Sequence, residues 1–198
     1  MISPMLCQYQ LNLSSVTLWS DQCPPYNPRA NHQKDDAMLS QQEEQLLRQA
    51  IRVSERAVAN GNMPFGGVFA DADGNVLAEA ENTGFTEKDP TAHAETNLVR
   101  KIVRELTPEQ IASGTFYTSC EPCVMCAGAM YWGGVNRMIY AMSEEDLLGL
   151  TGDHKDNPTM TGIGCRAVLS SGQREIEVLG PFLIDEALEI HRTFWLNQ

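Results

Sequence analysis

"TFYTSCEPCVMCAGAMYWGGVNRMIYA", residues 115–141, contains a full alternation of structure. TFYTS at 115–119 is short, aromatic and rich in threonine, which suits a strand. The apolar run PCVMCAGAMYW from Pro122 reads as a helix, and Pro122 suits its first position because the N–H it lacks would go unused there. Gly133-Gly134 ends that helix, and VNRMIYA from Val135 reads as a second strand. The same stretch holds Cys120, Cys123 and Cys126, half of the six cysteines in the chain. They could form a disulfide cluster, a redox pair, a structural metal knot or a metal site with an open position.

The flanking sequence extends the alternation. DPTAHAETNLVRKIVREL, upstream, reads as a helix with Leu98, Val99, Ile102, Val103 and Leu106 on its buried side. Before it, MPFGGVFADADGNVLAEAEN gives two strand-like runs about an Asp73-Gly74-Asn75 turn, a hairpin. A first helix is predicted from Ser40, where Ser40 and Glu43 make a capping box ahead of a Leu46, Leu47, Ala50, Ile51, Ala57 and Val58 stripe. REIEVLG near the C-terminus alternates as a strand, and IDEALEIHRTFW reads as a closing helix. The expected fold is α/β: a three-layer α/β/α sandwich around a mixed central sheet of about five strands. Residues 143–172, polar and with five glycines, read as a loop over a site, and the EED run at 144–146 as a solvated helix start.

Residues 1–37 carry four of the ten prolines and no periodicity, and are expected to be a loosely ordered extension to a domain spanning 38–198. Lys and Arg total 14 against 26 Asp and Glu, a formal charge of -12, which disfavours nucleic acid and anionic membranes as partners. No apolar run would span a bilayer, and the N-terminus lacks the pattern of a secretory signal, so a cytoplasmic location is expected. In a reducing compartment clustered cysteines favour metal or redox roles over disulfides.

Cys123 and Cys126 share the first turn of their helix, where the dipole and free N–H groups favour thiolates. TAHAE, at the start of the preceding helix, adds His93. One imidazole and two thiolates match zinc and leave a fourth position for water. Cys120 is the one close candidate to fill that position and make a structural knot. Such a knot leaves Glu95 unexplained. His93 and Glu95 are two residues apart and diverge on a regular helix, so both reach one centre only at an unwound helix entry. There Glu95 could move a proton, and the N–H of Ala94 could bond a substrate carbonyl.

HAE at 93–95 with PCVMC at 122–126 resembles the H-x-E and P-C-x-x-C pattern of the zinc-dependent cytidine deaminase superfamily. With PFGGV at 64–68, Asn82, DPTAHAE and TSCEPCVMCAGAMYW, it is similar to the bacterial guanine and nucleoside deaminase branch over about residues 40–145. The resemblance implies one zinc per chain on His93, Cys123 and Cys126, with Glu95 shuttling protons. It also implies that Asn82 bonds the ring edge, and that backbone groups at Ala94 and around Ser119 hold the carbonyl and departing ammonia. Phe65, Tyr131 and Trp132 are either packing aromatics or a stacking surface for the ring. The implied reaction is hydrolytic deamination of a free purine base or related small amino-heterocycle, guanine to xanthine first, by a homodimer. EEDLLGLTGDHKD lacks the Phe-Asp-Asp run of guanine deaminases of this type, which keeps nucleosides, cytosine and other rings open. tRNA adenosine deaminases share EPCVMCAGAM, but the acidic balance and Phe65 set this chain apart from them. A zinc-stabilised binding module without turnover is the alternative of a different class.

Overall fold

The computed structural model describes residues 38–152, 154–160 and 162–196; the expected extension at 1–37, with Cys7, Cys23 and His32, and the loop residue Asp153 lie outside them. The elements in order are α1 (Gln41–Ala59), β1 (Gly66–Ala70), β2 (Val76–Glu81), α2 (Gly84–Glu87), α3 (Ala94–Glu105), α4 (Pro108–Ser113) and β3 (Thr115–Cys120). They continue with α5 (Val124–Gly133), β4 (Arg137–Met142), α6 (Glu144–Thr151), α7 (Cys165–Ser170), β5 (Glu177–Leu179) and α8 (Ile184–Trp195).

The strands form one sheet in the order β2-β1-β3-β4-β5. β1 pairs antiparallel with β2 and β3, whereas β3-β4 and β4-β5 are parallel, so the sheet is mixed as expected. Alternation along the strands makes two cores. Val68, Ala70, Tyr117, Ile139 and Ala141 pack with α1 and α8, while Phe69, Phe116, Met138 and Tyr140 pack with α3, α5 and α7. Period-two side chains on a sheet covered on both faces give the three layers.

Local chemistry accounts for the helix ends. The Ser40–Glu43 capping box is formed in both directions, at 3.2 and 2.8 Å. α5 stops where Gly134 takes a left-handed φ of 86° that a side chain would resist. Gly66 is required for a different reason: a Cβ there would lie 2.4 Å from the Ser54 nitrogen, so α1 crosses β1 backbone to backbone.

Three expectations are corrected. Pro122 precedes α5 and is not its first residue; Cys123, at φ -63° and ψ 170°, is the extended N-cap. Residues 143–172 are not simply a loop but carry α6, started by a Ser143–Asp146 capping box, and α7. Val103 is 47% exposed and stands off the buried stripe of α3.

Candidate active site

Two helix starts meet beside the carboxyl end of β3, on which both helices are docked through the second core. His93 is the N-cap of α3, at φ -69° and ψ 155°, and Cys123 is the N-cap of α5. Extended backbone at both caps turns these side chains off the helix axis, so His93 and Glu95 converge although only two residues separate them.

His93 Nδ1 lies 3.7 Å from Cys123 Sγ and 3.5 Å from Cys126 Sγ, and the two sulfurs are 3.4 Å apart. A tetrahedral zinc with ordinary Zn–S and Zn–N bonds sets its ligand atoms about 3.5–3.8 Å apart. The three atoms therefore have nearly the spacing that one zinc ion requires. Cys120 does not belong to this group of mutually close ligand atoms. Burial raises its thiol well above the usual range and keeps it neutral. The Sγ–Sγ contact pushes the two ligand cysteines in opposite directions. Cys123 is held down to about 4 by the Cys126 thiol, with His93 assisting, and Cys126 stays protonated against it. His93 is raised by its contact with Cys123. A divalent cation would favour both cysteines as thiolates.

Glu95 is 4% exposed beside the group. Its Oε1 accepts a bond from the Thr118 hydroxyl at 2.7 Å, and its Oε2 lies 3.5 Å from Cys126 Sγ. Burial raises the carboxyl, with the His93 charge and the Thr118 bond opposing, which suits a group that must both take and return a proton. Asn97 was not singled out in the sequence, yet its Nδ2 bonds the carbonyl of Glu81 at 3.0 Å and Thr83 Oγ1 at 2.9 Å, tying the end of β2 to α3.

A cavity of about 500 Å³ opens over the group. His93, Glu95 and Cys123 line it together with Phe65, Glu144, Leu147 and residues 156–160. Part of the expected loop thus does cover the site. Glu144 corrects the solvated reading of the EED run: it faces the cavity, and burial, then the charges of Glu121, Cys123 and Glu95, push its carboxyl up to about 8.

The remaining sequence candidates divide. Phe65 lines the cavity with its ring edge-on to His191, centroids 5.1 Å apart. Asn82 is buried next to Gly84 of the wall; its Oδ1 accepts the Gly84 N–H at 3.0 Å, and its Nδ2 has no partner among the described residues. Ala94 opens α3 fully buried, and Ser119 Oγ accepts the Gly66 N–H at 3.0 Å. Trp132 is not brought to the site: it is 87% exposed and absent from the cavity wall, because Cys126 and Met130 take the inward face of α5. Tyr131 likewise packs away from the cavity, under Arg174 at 4.6 Å.

Comparison with known proteins agrees with this geometry. Residues 40–142 match the family pattern described as the cytidine and deoxycytidylate deaminase zinc-binding region. The chain is 40% identical over 157 residues to a probable cytosine deaminase of Schizosaccharomyces pombe, covering 79% of this chain and 94% of that protein. It is 40% identical over 104 residues to the guanine deaminase of Bacillus subtilis, covering 52% and 66%. The solved guanine deaminase of Nitrosomonas europaea shares the fold, with a TM-score of 0.63 at 21% identity over 88% of this chain and 94% of that one. With a zinc-spaced His-Cys-Cys group and a zinc-binding family match over half its length, the chain belongs to the cytidine and deoxycytidylate deaminase family and is a zinc-dependent hydrolytic deaminase.

Proposed function

We propose that the chain deaminates a free purine base or a related small amino-heterocycle, with guanine the first candidate. The observation that carries this is the buried Glu95 set against the His93–Cys123–Cys126 group at the wall of a roofed cavity. The surroundings support a flat neutral ring. Met63, Phe65, Met125 and Leu147 offer apolar faces, four acids are exposed to the cavity, and Lys88 is the one lysine or arginine among the described wall residues. A nucleotide or an RNA would bring phosphate into a cavity with one lysine to receive it. Cytosine is a second reading, favoured by the Schizosaccharomyces pombe relative that matches nearly end to end.

When bound, a zinc ion supplies a nucleophile at neutral pH by making water more acidic. The protein's own groups do the rest. Glu95 takes a proton from the attacking water and passes it to a ring nitrogen and then to the departing amine. Thr118 holds Oε1 of Glu95, leaving Oε2 to work beside the metal group. The N–H of Ala94, which no intrahelical carbonyl reaches, donates to the substrate's oxygen. The unpartnered Nδ2 of Asn82 supports its pairing with an acceptor on the ring edge. The products are the oxo-ring and ammonia. Ammonia release from guanine, cytosine, adenine and their nucleosides tests this: release from guanine above the others is expected. Release from cytosine alone selects the second reading, and one zinc per chain with no ammonia from any ring would leave only a binding module.

A further inference from the structure

Four carboxyl groups line the cavity, and three of them are engaged. Glu95 pairs with Thr118 and Cys126. Glu121 is saturated by backbone N–H groups, with Oε1 accepting from Cys165 at 3.0 Å and Oε2 from Glu144 at 3.3 Å. Asp156 faces Lys155 at 3.6 Å. The Glu144 carboxyl has neither a hydrogen bond nor an ion pair among the described residues, and Lys88 does not come within 4.0 Å of it.

Its position is set by the backbone around it. Ser143 caps α6, its N–H and hydroxyl both bonding Asp146 Oδ2 at 2.9 and 2.6 Å. The Glu144 N–H is tied to Glu121, and Leu147, on the same side one turn later, is buried in the core. A carboxyl half withdrawn from water at a fixed helix start, with no hydrogen-bond partner supplied by the protein, is a costly arrangement unless a ligand supplies one; burial favours its neutral form, whose carbonyl oxygen still accepts.

On the deaminase reading above, we propose that Glu144 is a specificity-determining residue: it accepts the hydrogen bond of a ring N–H and so selects free bases over their N-glycosides. A ring whose amino-bearing carbon sits at the His93–Cys123–Cys126 group presents a different edge to α6. Free purines and pyrimidines carry an N–H at the nitrogen that a sugar occupies in a nucleoside. Substitution there removes the donor and sets carbon against an unpaired carboxyl. A site built to pair with a donor rejects analogues that lack it far more strongly than an apolar pocket rejects an extra methyl group.

The test uses the zinc-loaded full chain and deaminated rings, which bind without turning over. Dissociation constants for uracil against 1-methyluracil, and xanthine against 9-methylxanthine, are measured calorimetrically for wild type, Glu144→Ala and Glu144→Gln. In the wild type methylation is expected to weaken binding about 10- to 100-fold in the tighter pair. Glu144→Ala should reduce that ratio to about 3-fold or less, and Glu144→Gln, which keeps an acceptor of the same reach, should retain most of it. A Glu144→Ala protein that discriminates as the wild type does, or a wild type that binds neither pair or ignores the methyl group, overturns the proposal. Ammonia release from the matching amino-bearing rings is read separately, so its absence alongside intact discrimination would overturn the deaminase reading alone.

Discussion

Two parts of the cavity wall are held in opposite ways. On the metal wall each working side chain lies at the first turn of a helix, within residues 93–126, and is aimed by its own backbone: extended caps at His93 and Cys123, helical positions at Glu95 and Cys126. The second part, Phe65 and residues 156–160, is held by a distant part of the chain. The Trp195 indole N–H donates to His191 Nδ1 at 3.1 Å, and His191 meets the Phe65 ring. Trp195 also packs on His154 with centroids 4.8 Å apart, and His154 Nδ1 accepts the Asp156 N–H at 3.3 Å. Residues 156–160 of the wall therefore depend on α8. The His93–Cys123–Cys126 group rests on local backbone, and the rest of the lining on long-range packing.

Damage to the first wall should affect chemistry alone. Glu95→Gln is expected to keep one zinc per chain and lose about 10³-fold or more in turnover; metal analysis beside ammonia release checks it, and a loss under about tenfold would take Glu95 out of the mechanism. The second wall should respond in stability first. Burial depresses His191 from 6.5 to about 3, so the fold holds it neutral while the unfolded chain takes a proton. Its contribution is complete above pH 6.5 and falls away down to about pH 3, by as much as about 5 kcal/mol. Urea titrations at successive pH values should show that slope in wild type and its loss in His191→Gln; parallel curves would show that His191 does not titrate as placed.

A smaller effect separates the walls kinetically. Trp195→Phe keeps a ring but loses the indole donor, and should raise KM about 3- to 10-fold with kcat changed less than about 2-fold. A fall in kcat at constant KM would place α8 in the chemistry instead. Least of all should come from Cys120→Ser and Trp132→Ser, with zinc content and turnover within about 2-fold of wild type. Loss of zinc on Cys120→Ser would revive the structural knot.

Much of this was legible in the residues. The Ser40 cap, the glycine stop after α5, the hairpin and the alternating strands are nearest-neighbour effects, so short windows reveal them. The same holds for His93, Glu95, Cys123 and Cys126, whose convergence needs only two helix starts docked on one strand. α4 was missed, although Thr107 and Gln110 form a capping box visible in TPEQ, because the helix is only Pro108–Ser113. Trp132 failed as a site residue because the identity of an aromatic does not say which face of a helix is buried; the packing of α5 against α3 decided that.

The sequence by itself determined the layered α/β fold and the zinc chemistry, because both follow from periodicity, capping and ligand spacing that act over a few residues. Only the tertiary structure decided which further groups line the cavity beside the metal group. Glu144, Asp156 and Phe65 come from three separate segments, and they line one cavity because the sheet and α8 bring distant backbone together, a result of packing that no local pattern encodes.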